Sequence, residues 1–167
     1  MNRKLKITEL NRISTEEFKE AEKLPLVVVL DNIRSLHNIG SVFRTSDAFR
    51  IECIYLCGIT ATPPHAEMHK TALGAEETVD WEYFEDTMEA VDKLKQQGYT
   101  VCAVEQAEGS TMLDNLLLDK NKKYAVIMGN EVKGVQQCVV DNCDMCIEIP
   151  QYGTKPVSYT HLRAHET

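Results

Sequence analysis

Apolar positions along the chain fall into short runs separated by stretches with a helical spacing. Residues 26–30, Leu-Val-Val-Val-Leu, form a continuous apolar run of strand length. A strand apolar on both faces is one buried in a parallel sheet. Apolar-rich segments over 53–57, 79–84, 99–104, 124–128 and 145–149 predict further strands. Between them the spacing changes. In 86–97, Met88, Val91 and Leu94 recur every three residues, Asp86 and Glu89 can cap the start, and Gly98 ends the segment. Helices are also predicted over 38–49, 68–73 (stopped by Gly74) and 135–142. Ser14-Thr15-Glu16-Glu17 has the capping-box spacing, in which a hydroxyl and a carboxylate three apart satisfy each other's backbone N–H groups. It opens a short helix ending near Lys23. Strands alternating with helices predict an α/β fold, a parallel sheet flanked by helices on both faces.

Length and composition narrow the class. At 167 residues the chain is one domain's worth, and 43% hydrophobic residues suffice for a core. No apolar run approaches the roughly 18 residues of a membrane span. The first six residues are basic, but no apolar stretch follows, so no secretory signal is expected and the cytoplasm is the expected location. The six cysteines mostly stand among Val, Ile, Leu and Met and read as small buried hydrophobes in a reducing compartment. Cys143-x-x-Cys146 admits a zinc reading, but a structural zinc needs four ligands, and no second pair has a finger-like spacing. His65 and His69 could share a helix face as ligands or be two solvated histidines beside Pro63-Pro64. No metal is expected.

The net charge is −8. Glu76, Glu77, Asp80, Glu82, Glu85, Asp86, Glu89 and Asp92 lie in one segment with no Lys or Arg among them. The remainder is therefore neutral. The segment reads as a solvated acidic face that repels phosphate, so a polyanion would approach elsewhere.

Open α/β sheets bind ligands at the carboxyl ends of their strands, which directs attention to the segments that follow each strand. No GxGxxG loop and no P-loop is present, which argues against an ordinary dinucleotide enzyme and an NTPase. After the first strand, Asn38 and Arg44 flank a helix whose Ile39, Val42 and Phe43 must face the core. Gly40 and Ser41 allow close backbone approach. The bland alternative is an N-cap Asn and a surface Arg. After the fifth strand, Gly129-Asn130-Glu131-Val132-Lys133-Gly134 could press backbone amides and carbonyls against a ligand, or be a plain strand-to-helix turn. After the sixth, Ile149-Pro150-Gln151-Tyr152-Gly153 gives a rigid, extended loop, or a simple chain reversal.

Asn-Ile-Gly-Ser-Val-Phe-Arg-Thr, Gly-Asn-Glu-x-x-Gly and Ile-Pro-Gln-x-Gly, in this order at these strand ends, resemble the three motifs of the SpoU (TrmH) family of RNA 2′-O-ribose methyltransferases. Lys70-Thr71-Ala72-Leu73-Gly74-Ala75 is also similar to that family. The resemblance runs from about Pro25 to Lys155. It implies a SPOUT-type fold with a trefoil knot, a homodimer, S-adenosylmethionine as cofactor, and a tRNA or rRNA as partner and substrate. It implies catalytic roles for Asn38, Arg44 and Glu131, and cofactor contacts at Gly129, Asn130, Ile149, Gln151 and Gly153, with Glu105 a weaker candidate. Arg34, Arg44 and Arg50 would contact RNA. A guanidinium with a pKa above roughly 12 is a poor base. Arg44 would therefore stabilise the developing alkoxide and grip the adjacent phosphate.

The chain then divides into a helical extension over 1–24, a methyltransferase domain over 25–155 and a tail over 156–167. That tail lacks the Ser-Leu-Asn segment and the apolar helix with which the family continues. It reads either as a foreign ending or as a genuine short variant. The expectation is an incomplete knot, with this chain inactive where its parent is an enzyme. A non-catalytic RNA-binding or assembly protein that keeps the fold is the competing reading.

Overall fold

The computed structural model describes residues 1–154. Among the described residues seven strands form one sheet: β1 (Leu24–Asp31), β2 (Ile51–Cys57), β3 (Trp81–Phe84), β4 (Tyr99–Val104), β5 (Thr111–Met112), β6 (Lys123–Gly129) and β7 (Met145–Glu148). Their order is β3-β2-β1-β6-β4-β7-β5, and every pairing is parallel. The chain fills the sheet outward from β1 through β2 to β3, then crosses to the other side. β6 returns between β1 and β4, with Asp31 in register with Gly129 at the last rung. The order reverses between β1 and β6, and such a reversal opens a crevice at the carboxyl ends of the two strands.

The two sheet faces carry separate cores. On one, Val28, Leu30, Ile54 and Leu56 pack against Ile39 and Phe43 of α2 (Leu36–Ala48) and Met68 of α3 (Ala66–Ala72). Phe18 of α1 (Thr15–Glu20) joins this core. On the other, Val27, Val29, Ala103 and Ile127 pack against Val91 and Leu94 of α5 (Thr87–Gln96) and Val139 of α6 (Gln137–Asp141). Alternate residues of β1 thus feed opposite cores, as the period of two requires. α2 and α3 meet closely because Gly40 has no side chain. A Cβ there would lie 2.1 Å from Thr71 Oγ1 and 2.2 Å from the Met68 carbonyl.

Several elements differ from expectation. α2 begins at Leu36 rather than at Asn38, because the Ser35 hydroxyl accepts from the Asn38 amide and takes the N-cap. The segment after Gly74 forms a short helix, α4 (Ala75–Thr78), before β3. β5 and a 3-10 turn over Leu113–Asn115 are additional. The first helix ends at Glu20, and α6 starts two residues later than predicted.

The acidic segment is only partly a solvated face. Asp86 caps α5, Glu82 pairs with Lys93 at 2.7 Å, Asp80 with Lys19 at 3.0 Å, and Glu76 with His69. Of the cysteines, Cys57 and Cys102 are buried and Cys138 is exposed. Burial pushes the Cys57 thiol up to about 12, so it stays protonated. No helix is long and apolar enough to cross a membrane, and no cluster of three or more His, Cys, Asp or Glu could hold a metal, both among the described residues. His65 instead caps α3 through Nδ1. The predicted 156–167 tail lies outside the described residues.

Candidate functional site

The β1–β6 crevice gathers three loops that are distant in sequence. After β1, Asn32 adopts a left-handed conformation (φ 56°). Its side-chain oxygen accepts from the Ile59 amide at 3.0 Å, and its Nδ2 donates to Asp31 Oδ1 at 3.0 Å. Its carbonyl accepts from Asn130 Nδ2 at 2.7 Å. Asn32 thereby fastens the loops after β1, β2 and β6 to one another. A non-glycine residue at positive φ persists only where such bonds over-determine it.

Asp31 supports this junction from below. It is fully buried, and its carboxylate accepts from the Thr87 hydroxyl (2.6 Å), Gln136 Nε2 (2.7 Å) and the Gln136 amide (2.9 Å). A buried carboxylate is tolerated only when its lone pairs are occupied, and here donors from α5 and the loop before α6 occupy them.

The loop after β6 is closed on itself. Asn130 and Gly134 exchange backbone hydrogen bonds at 3.0 and 2.9 Å, while Asn130 Oδ1 accepts from the Val132 and Lys133 amides. A Cβ on Gly129 would lie 2.2 Å from the Gly134 carbonyl carbon, and Gly134 takes φ +70°. Both glycines are therefore required by the tightness of the loop. Glu105, at the end of β4, accepts from the Val135 amide at 2.9 Å and closes against Gly134.

Glu131 projects from this loop across the crevice. Its carboxylate accepts from the Arg34 amide (2.9 Å), the Ser35 amide (3.0 Å) and Asn38 Nδ2 (3.2 Å). Burial pushes this carboxyl up, but bonds from the Arg34, Ser35 and Glu131 amides and from Asn38 outweigh it, so the net direction is below the usual range. Asn38, at 8% exposure, is buried at the first turn of α2 and is not its cap.

The structure thus brings Asn38 and Glu131 into contact. Arg44 stands apart from them, six residues and about 9 Å further along α2. It is exposed, and its side chain makes no ion pair or hydrogen bond among the described residues. Glu131 makes no bond to Arg44, because both carboxylate oxygens are engaged by the loop into α2 and its first turn. Of the expected cofactor residues, Glu105, Gly129 and Asn130 stand together on the ends of β4 and β6. Ile149, Gln151 and Gly153 follow β7, the next strand beyond β4. Ile149 is half-buried against the core. Arg34 lines a groove with Asn32, Asn130 and Lys133, whereas Arg50 lies with Arg44 at the far end of α2. Sequence reading missed Asp31, Ser35, Gln136 and Thr87. Only the position of Asp31 after an all-apolar strand could have pointed to it.

Residues 25–157 match the SpoU rRNA Methylase family. The chain is 32% identical over 135 residues to a Staphylococcus aureus protein assigned to the TrmH family of tRNA/rRNA methyltransferases, covering 81% of this chain and 53% of that protein. It is 29% identical over 145 residues to the 23S rRNA (guanosine-2′-O-)-methyltransferase RlmB of Neisseria meningitidis, covering 86% and 57%. The chain spans about half the length of these curated relatives. In fold it superposes on the AdoMet-bound rRNA methyltransferase from Sinorhizobium meliloti with a TM-score of 0.76 at 24% identity, covering 88% of this chain and 56% of that one.

Proposed function

The chain belongs to the SpoU rRNA methylase family, and we propose on that footing that its domain transfers a methyl group from S-adenosylmethionine to a ribose 2′-hydroxyl of a tRNA or rRNA. The observation that carries the reading is the Asn38–Glu131 bond at the sheet's reversal point. It joins the first and second family motifs in one built site, with Arg44 further along the same helix. The RNA and its nucleotide are not specified by this arrangement. A domain over 25–155, a cytoplasmic location and a homodimer of the full-length parent belong to the same proposal.

The residues present fit the cofactor. The loops after β6, β4 and β7 stand side by side. The 129–134 loop is closed by its own hydrogen bonds, so its outward backbone groups are held in fixed positions. Glu105 keeps acceptor capacity beyond the two amides it binds. Gly129, Asn130, Ile149, Gln151 and Gly153 would receive adenine and ribose, and Glu105 a hydroxyl. When bound, S-adenosylmethionine supplies an electrophilic methyl group on a sulfonium with a built-in leaving group.

The protein's part is then position and charge. Glu131 fixes the start of α2 against the 129–134 loop, and Asn38 orients that junction toward the acceptor ribose. Arg44 holds the phosphate beside the acceptor and stabilises charge developing on the 2′-oxygen. Arg34 and Arg50 extend the RNA contact. Arg44→Ala is expected to lower methyl transfer to bulk RNA by at least about 10²-fold, as loss of one transition-state donor does. Cofactor affinity by calorimetry should stay within a few-fold. Equal loss of transfer and cofactor binding would remove Arg44 from the acceptor side.

A further inference from the structure

A second groove lies away from the carboxyl ends of the strands, between residues 11–15, the far half of α2 and the 72–75 turn, with a volume of about 850 Å³. Three arginines line it, each from a different segment: Arg12 before α1, Arg44 on α2, and Arg50 in the turn to β2. All three are exposed, and none has an ion pair or hydrogen bond from its side chain among the described residues. The backbone of Arg44, inside α2, and that of Arg50 are fixed nonetheless. Arg50 takes φ 50°, its amide donates to the Asp47 carbonyl at 3.1 Å, and its carbonyl accepts from the Leu24 amide at 2.8 Å. Asn11, beside Arg12, also takes φ 50°.

Two carboxylates, Asp47 and Glu77, share the lining, and Asp47 Oδ2 accepts from the Thr78 hydroxyl at 3.0 Å. Three cations against two anions leave the groove at +1 in a chain whose total is −8. Free guanidiniums presented at separate points suit a linear string of single phosphates, since each planar fork engages one phosphate bidentately. A compact polyphosphate would instead meet the two carboxylates at close range.

We propose that this groove holds the phosphodiester backbone of the RNA strand flanking the acceptor nucleotide, with Arg12 of the N-terminal segment and Arg50 as its phosphate ligands. The inference rests on the RNA reading above and gives it a path. The strand passes Arg44 at the acceptor and continues between the N-terminal segment and α2, past Asp47 and Glu77. The N-terminal segment, which lies before the matched residues, thereby becomes part of the RNA site.

The test uses the full chain and a fluorescently labelled single-stranded RNA of about 12 nucleotides, titrated over a series of salt concentrations. Arg12→Ala and Arg50→Ala should each weaken binding about fivefold and reduce the salt slope by about 0.7, the single-strand value for one phosphate contact. The double variant should lose more than tenfold. Cofactor calorimetry and the Tm should not change. Lys120→Ala, outside the lining of this groove, serves as the control. Wild-type affinity in the double variant, an equal loss in Lys120→Ala, or no RNA binding by the wild type would each overturn the proposal. If the arginine variants weaken RNA binding but the chain transfers no methyl, the groove stands and the methyltransferase reading fails. If transfer is intact and the variants bind as wild type, the groove fails alone.

Discussion

The Asn38 side-chain amide donates to the Glu131 carboxylate at 3.2 Å, linking residues 93 positions apart in the chain. The same carboxylate takes the Arg34 and Ser35 amides, so one side chain from the loop after β6 closes the loop that leads into α2. Both loops leave adjacent strands at the point where the sheet order reverses. The junction is held by a charge-assisted cluster rather than by apolar packing, which makes it sensitive to a change of one atom.

Glu131→Gln supplies that change. The amide keeps one oxygen, but its NH2 group faces a backbone donor that it cannot bond. The expected cost is about 2 kcal/mol, the scale of a hydrogen bond to a charged group with a partner left unsatisfied. Urea unfolding of the two proteins measures it. Equal midpoints would show that solvent already satisfies these amides.

The same pair of proteins carries a pH signature. The folded-state pKa of Glu131 is depressed, so the unfolded state binds its proton more readily. The stability it contributes is complete above the unperturbed value of about 4.3 and is lost as pH falls through the lower folded value. The Tm difference between wild type and Glu131→Gln should therefore be constant from neutral pH down to about 5 and shrink below about 4. A difference that grows on acidification would contradict the sign.

Asp31→Asn tests the support beneath the site. Asn presents one acceptor oxygen where the carboxylate serves Thr87, Asn32 and both donors of Gln136. Loss of about 2–3 kcal/mol is expected, because buried donors are left unpaired. The 129–136 loop should become more accessible to limited proteolysis while α2 and α3 keep their protection. Unchanged cleavage would show that the loop's own closure through Asn130 and Gly134 suffices to hold it.

The elements visible in the sequence are those with a one-body signal. β1 was legible because Leu26 to Leu30 are apolar on both faces, and α5 because Met88, Val91 and Leu94 recur at helical spacing between Asp86 and Gly98. β5 was not legible. Its two residues, Thr111 and Met112, are a strand only because they pair with Ile147 and Glu148, far along the chain. α2 was misplaced by two residues because Ser35 and Asn38 are both good caps, and tertiary contact with Glu131 decided between them. The three motif segments were found, and two of them do meet. Asp31 escaped notice because its partners Thr87 and Gln136 lie 56 and 105 positions away, and no periodicity connects them. The standing of Arg44 was likewise beyond the sequence. Helical spacing placed it on α2, but only the fold shows it with Arg12 and Arg50 rather than with Glu131.

The central claim is methyl transfer to a ribose oxygen, and the most direct measurement is the alkali resistance of the product. Incubation with S-adenosylmethionine labelled in the methyl group and with unmodified tRNA or rRNA should leave label in the RNA. Alkaline hydrolysis proceeds through the free 2′-hydroxyl, so a methylated ribose protects its 3′-linkage. The account predicts that the label emerges in alkali-stable dinucleotides, and that Arg44→Ala abolishes it. Label released as methylated mononucleotides would place the methyl on a base and contradict the account, as would no transfer to either RNA by a chain shown to bind the cofactor.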